Sequence, residues 1–293
     1  MENIPELLPG ERQHWIAGLI SDYCAGSANT LQDAMNEPAW GAPLVGFARG
    51  DDPLWQHYKE VVGPDHWTPA EIFAATFPGT AFEPAGLTVI SWILPQTART
   101  KADNRLETTF PAERWARSRI FGEAFNSLLR KNVADALCGF GCEAVAPHLS
   151  PAWSRRDSER FVFSSTWSER HAAYVAGLGT FGLCDGLITS VGKAMRVGSV
   201  VARLVVPPTP RPYSDHRAYC SFFADGSCGE CIGRCPAGAI TQAGHDKLKC
   251  SAHVSSTAAF VRDHYGFDGY GCGLCQTGVP CESGIPVAKW ALS

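Results

Sequence analysis

The chain has 293 residues, a net charge of −4 and a sequence pI near 6.1. That length allows one sizeable core plus a smaller module, and the balanced charge excludes the broad basic field that announces a nucleic-acid partner, though not a local RNA-binding patch. Charged residues are only 18%, with 29 Gly, 20 Pro and 9 Trp, a composition that suits a loop-rich enzyme built around large cofactors. No apolar run is long enough to cross a bilayer. Met-Glu-Asn-Ile-Pro-Glu shows neither a basic n-region nor an apolar h-region, so a cytoplasmic protein is expected.

In chain order, Trp15, Leu19, Ile20 and Tyr23 fall at helical spacing, and Pro38 to Pro43 then breaks the pattern. Residues 1–80 read as an N-terminal helical extension of unknown role. Thr68-Pro69-Ala70-Glu71 forms a capping box with proline at the first helical position. Leu87–Leu94 is expected to be a buried strand stopped by Pro95, and the polar run 96–111 a loop. The longest helix is expected over 112–137, with Phe121, Ala124, Phe125, Leu128, Leu129, Val133 and Leu137 on one apolar stripe. Glu143–Pro147 reads as a second strand, with Cys138 and Cys142 as core thiols.

A second informative stretch runs from 163 to 206. A helix over about Ser168–Ala176 leads into Gly177-x-Gly179-x2-Gly182. A dinucleotide fingerprint follows a strand and opens a helix, so this order argues against one. Three glycines after a helix instead offer bare backbone on which a flat cofactor can lie. Arg196–Val206 reads as a returning strand. Glu169 and His171 can position a substrate or deliver a proton, or the helix start can be a capped surface turn with a Glu169–Arg170 pair. Tyr174 is a proton donor or a packed core tyrosine. Arg196, and less so Lys193, can hold an anion. Cys184 either touches a metal or fills space.

The last quarter carries the strongest signal. Eight of the twelve cysteines lie between Cys220 and Cys281, in two blocks, Cys228-x2-Cys231-x3-Cys235-Pro236 and Cys272-x2-Cys275-x5-Cys281. A Cys-x2-Cys loop lets two thiolates grip one cubane, and a terminal Cys-Pro belongs to the bacterial ferredoxin pattern, in which that cysteine ligates the other cluster. The exchange gives Cys228, Cys231 and Cys281 to the first [4Fe–4S] cluster and Cys235, Cys250, Cys272 and Cys275 to the second. The first cluster's fourth ligand is Cys220, favoured over Asp225 by ligand softness. Zinc ribbons separate their knuckles by fewer residues, and disulfides need an oxidising compartment.

Ala176-Gly177-Leu178-Gly179-x2-Gly182, then Leu187-Ile188-Thr189, then Arg196-x-Gly198-x-Val200, followed by the cysteine module, resembles the superfamily of epoxyqueuosine reductases and reductive dehalogenases over residues 85–285. The resemblance implies an α/β fold with a nitroreductase-like α+β core over 81–210 and a ferredoxin-like two-cluster module over 211–293. It further implies base-off cobalamin held near Gly177, Gly179, Thr180, Phe181, Gly182 and Arg196. Electrons from a low-potential donor, ferredoxin or flavodoxin, would pass through the clusters to cobalt for a reductive elimination. The substrate, small molecule or tRNA, is unassigned. An electron-transfer protein or reductase without cobalamin is the alternative. Two departures stand out: the family's catalytic aspartate falls at Phe163, and its Gly-Lys-Asn is replaced by Gly182-Leu183-Cys184-Asp185.

Overall fold

The computed structural model describes residues 4–159 and 162–287; residues 1–3 of the N-terminal segment and 288–293 of the expected module lie outside the described residues. In chain order the elements are α1 (Pro9–Ala25), β1 (Leu44–Arg49), α2 (Leu54–Val61), α3 (Pro69–Thr76), β2 (Thr88–Pro95) and α4 (Ala98–Leu106). There follow α5 (Glu113–Arg117), α6 (Glu123–Gly139), β3 (Ala144–Val145), β4 (Arg155–Ser158), β5 (Val162–Ser165) and α7 (Glu169–Val175). Last come β6 (Gly179–Phe181), β7 (Leu187–Thr189), β8 (Met195–Ala202), α8 (Ser221–Ala224), α9 (Glu230–Gly233), β9 (Ile240–Thr241), β10 (Gly244–His245) and α10 (Lys247–Tyr265).

The centre is a four-stranded sheet in the order β1-β2-β8-β3, antiparallel throughout. Side chains of a strand alternate between faces, and here both faces are covered. Ile90, Trp92 and Leu94 of β2 point into one core with Ile16 and Ile20 of α1 and Phe125 and Leu129 of α6. Val89 and Ile93 point into the other, shared with α2, α3, α7 and the cysteine segment. Burial of both faces explains why β2 is apolar on both sides, with Thr88 and Ser91 its buried polar exceptions, rather than alternating, and Pro95 ends it as expected. Burying each such side chain contributes roughly 1.5–3 kcal/mol.

Three elements differ from expectation. The segment 1–80 is not an added extension: β1 pairs along its whole length with β2, and Tyr23 of α1 stacks on Phe125 at 5.6 Å. The polar run after β2 is a helix, α4, started by Thr97, whose hydroxyl accepts from Thr100 N–H at 3.2 Å. The expected long helix is interrupted by a π turn over Ser118–Gly122. The indole N–H of Trp40 donates to Gly122 O at 3.0 Å, and a Cβ on Gly122 would lie 2.7 Å from that ring. Beyond the turn the buried stripe shifts to Phe125, Asn126, Leu129, Arg130, Val133 and Leu137, leaving Leu128 exposed. Cys142 is a core thiol and Cys138 is exposed. The box at Thr68 forms as expected, with both reciprocal bonds to Glu71.

The cysteine segment is docked on the core by α4 and α5. Asn104, fully buried, donates to Cys272 O and to Thr277 Oγ1, and accepts from Ala112 N–H. Arg234, inside the first cysteine block, donates to Asn104 O, Glu107 O, Leu274 O and Thr277 O. Phe110 stacks on Phe260 of α10 at 4.1 Å. A Cβ on Gly273 (φ +68°) would sit 1.9 Å from the Trp115 ring, so this turn needs glycine for both its conformation and the approach.

Candidate redox site

The cysteines separate into two groups. Cys220, Cys228, Cys231 and Cys281 all line one small internal void together with Leu183, Ile188 and Lys193. Asp225 instead accepts from Ser227 N–H and turns the chain between Cys220 and Cys228, which supports Cys220 as the fourth member. Cys272 has Cys250 and Cys235 as electrostatic neighbours, and Cys275 has Cys272. Backbone N–H groups face these sulfurs: Ala239 N–H donates to Cys235 Sγ at 3.3 Å, and Leu274 N–H to Cys272. Among the described residues no group of three or more His, Cys, Asp or Glu is arranged for a single metal ion. Four soft thiols around one void, and N–H groups on the sulfurs of the second group, match the demands of cubanes.

Two adjoining cavities lie beside the second group. The larger, about 560 Å³, is lined by Arg119, Glu123, Arg130, His148, Glu169, Lys193 and Arg196 among others, and reaches Gln276, next to Cys275. The smaller, about 400 Å³, includes Phe163, Ser164, His171, His245, Lys247 and Cys250. Trp153, Ser165, Ser168 and Arg170 belong to both walls.

Charge in the larger cavity is organised by Arg130, which is 1% exposed. It bridges Glu169 and Glu123 at 3.0 Å each and donates to Val197 O. Ser199 also donates to Glu169. Burial raises the Glu169 carboxyl above the usual carboxylate range against the pull of Arg130. Arg196 binds Glu123 at 2.9 Å, while its Nη2 is buried without a partner; burial pulls its pKa down to about 10. His148 Nδ1 is a second orphaned atom on this wall, and burial, helped by Arg130, holds that imidazole neutral with a pKa of about 4.

Of the expected site residues, Glu169 and Arg196 line the larger cavity and His171 the smaller. His171 shares a 2.7 Å bond with Ser168 Oγ, and burial pushes its pKa well down, so it is neutral. Tyr174 lines neither cavity; its hydroxyl donates to Ser214 O, and its ring packs on Tyr213. The glycine stretch corrects the expectation of a bare platform. Gly177 has φ +76° and its Cβ would meet Pro210 O at 2.6 Å; that of Gly179 would meet Ile188 O at 2.2 Å. Thr180 is buried, accepting from Tyr219 N–H, and Gly182 lies behind Ile188. Phe181 packs on His171 at 4.8 Å, and Gly182 is hydrogen-bonded to Gly186 and Asp185 on the cavity walls. These glycines let the chain pack on itself. The reading from sequence missed Arg130 and His148: an arginine within an apolar helical stripe was the available signal.

No protein-family model matches the chain. An epoxyqueuosine reductase of Bacillus anthracis is 35% identical over 124 residues, which are 40% of this chain and 30% of that enzyme, so the match spans under a third of the curated relative. Among solved structures, an epoxyqueuosine reductase crystallised with an epoxyqueuosine-modified tRNA-Tyr stem loop is similar with a TM-score of 0.51 and 16% identity, over 94% of this chain and 66% of that one. The catabolic reductive dehalogenase NpRdhA is similar with a TM-score of 0.50 and 15% identity, over 83% of this chain and 30% of that one. Over the matched segment the chain is thus similar in sequence to epoxyqueuosine reductases, and over most of its length it shares the fold of an epoxyqueuosine reductase and of a reductive dehalogenase.

Proposed function

We propose that the protein is an iron–sulfur reductase. Cys220, Cys228, Cys231 and Cys281 hold one [4Fe–4S] cluster, and Cys235, Cys250, Cys272 and Cys275 hold a second. Electrons enter from a low-potential donor such as ferredoxin or flavodoxin and reach a substrate in the adjoining cavities. The observation that carries this reading is the convergence of Cys220 with Cys228, Cys231 and Cys281 on one void, with Cys250 lining the smaller cavity and Gln276, next to Cys275, the larger. A base-off corrinoid, when bound, would supply two-electron reducing power at cobalt.

The protein's own residues bind and protonate. Arg196, which lines the larger cavity and whose buried Nη2 has no partner, binds an anionic or amide oxygen of the occupant. Glu169 is the proton donor: burial raises its pKa and so favours the protonated carboxyl, whereas the position that the resemblance gives to a catalytic aspartate holds Phe163. Phe163 itself lies under the Arg155 guanidinium at 3.4 Å and does no proton chemistry. His171, neutral and tied to Ser168, orients rather than charges. The substrate is a small molecule or a tRNA; the tRNA reading draws on the stem-loop complex of the relative.

One observation favours a reductase without cobalamin. The glycine stretch is filled by its own chain, and each cavity alone lies in the roughly 300–1,000 Å³ range of ordinary small-ligand sites. A corrinoid is bulkier and needs both cavities as one, with the Trp153 wall between them moved. Anaerobic purification, iron counting and a visible spectrum after incubation with hydroxocobalamin and gel filtration decide the matter. About eight irons with retained corrin support the full reading. About eight irons with no corrin leave the cobalamin-free reductase, and about four overturn the assignment of Cys220.

A further inference from the structure

Lys193 and Cys184 stand where the two cysteine groups meet, outside both cysteine blocks. Lys193 is buried and lines the void of the first group as well as the larger cavity. Its backbone is pinned: Lys193 N–H donates to Cys281 O at 2.9 Å and Ala194 N–H to Glu282 O at 3.3 Å. Gly192 makes the approach possible, since a Cβ there would lie 2.1 Å from Glu282 O. The Lys193 ammonium lies 3.4 Å from Cys184 Sγ and within hydrogen-bonding reach of Cys281. The Cys184 thiol is within the same reach of Cys231 in the first group and Cys275 in the second. Gly186 N–H also faces it.

We propose that Lys193 and Cys184 form a fixed polar bridge between the two clusters, which raises the reduction potential of both and couples them electrostatically. The proposal rests on the two-cluster reading above. One-electron reduction adds a negative charge to a cluster, and hydrogen bonds to its sulfurs and nearby positive charge stabilise that reduced form. A buried ammonium needs anionic partners, and the groups acting on this one are Cys184, Cys281, Cys275 and Cys231. In a low-dielectric interior its field reaches both sites. The chain thus carries a cation in the wall between its electron store and its cavity.

The test uses the anaerobically purified full chain with its iron. Wild type, Lys193→Met, Lys193→Arg and Cys184→Ala are compared by iron content and by electron paramagnetic resonance during a redox titration. The expected result is about eight irons in every protein, midpoints of both clusters more negative in Lys193→Met, and a smaller shift in Lys193→Arg. Cys184→Ala is expected to shift the second cluster in the same direction. Unchanged midpoints in Lys193→Met overturn the proposal, as does loss of about four irons from Cys184→Ala, which would make Cys184 a ligand. If Lys193→Met fails to fold, an unchanged second midpoint in Cys184→Ala overturns it alone. Fewer than about eight irons in the wild type would count against the two-cluster reading instead.

Discussion

Arg130 carries the buried charge of the site, because one guanidinium serves Glu169, Glu123 and the Val197 carbonyl at once. Removing one partner of a buried ion pair destabilises by about 3–5 kcal/mol, since the remaining charge is stranded. Arg130→Met is expected to fall in that range in denaturant unfolding. Glu169→Gln keeps shape and hydrogen bonds but holds its proton too tightly to donate it; we expect turnover to fall by about 10²–10⁴-fold with iron content unchanged. His66 makes the fold acid-sensitive. It is 1% exposed, stacked on Trp167, and burial, with Lys59 nearby, lowers its pKa to about 4. The unfolded chain takes up that proton near pH 6.5 and the folded one only near 4, so the contribution is complete above 6.5 and is lost as pH falls between those values. Each unit is worth about 1.4 kcal/mol. His66→Phe is expected to flatten the stability profile between pH 6.5 and 4.

At the scale of elements, α4 shows how polarity can disguise structure. Its sequence, Ala-Arg-Thr-Lys-Ala-Asp-Asn-Arg-Leu, has no apolar stripe, yet it is a helix because its buried face meets carbonyls rather than a core. Asn104 contacts the Cys272 segment, Arg105 pairs with Glu282, and Lys101 donates to Ser283. Asn104→Ala leaves buried carbonyl and N–H groups unsatisfied, at a cost of about 1–3 kcal/mol. We expect faster iron loss to a chelator from this variant, with the sheet's circular dichroism unchanged. The same logic limited the reading of the helix after α5, where Asn126 and Arg130 occupy buried positions that an apolar pattern assigns to Ala124 and Leu128. Trp40 comes from 82 residues away to hold the π turn, a contact that no local period encodes. β2, by contrast, was legible because burial on both faces writes a mostly apolar, β-branched run, and the capping box at Thr68 because all of its bonds are local. The two cysteine blocks were visible in the sequence because their Cys-x2-Cys spacings are local. The cavities were not, since their walls draw on α6, α7, β8 and the cysteine module at once.

For the whole molecule, the core and the cysteine module behave as one body. Trp115 lies against Gly273, Lys193 and Ala194 are bonded to Cys281 and Glu282, and Arg234 gathers carbonyls from both parts. Anything that binds the folded module should therefore stabilise the whole chain. Chelation of iron is expected to lower the melting temperature in a single transition that includes the sheet; two separate transitions would mean that the parts unfold independently. Gly192→Ala attacks the shared seam directly, because its new methyl would collide with the Glu282 carbonyl.

The stretch from Lys193 to Arg196 has one more consequence. Its first residue, Lys193, lines the first cysteine void and the larger cavity at once, so a single side chain spans the two. On the proposed function, charge passing between them crosses continuous packed protein, with no domain swing and no carrier to ferry it. The internal leg of the reaction should thus be indifferent to solvent friction: adding glycerol or sucrose would slow delivery from the external donor and leave reoxidation of a pre-reduced protein by its substrate unchanged.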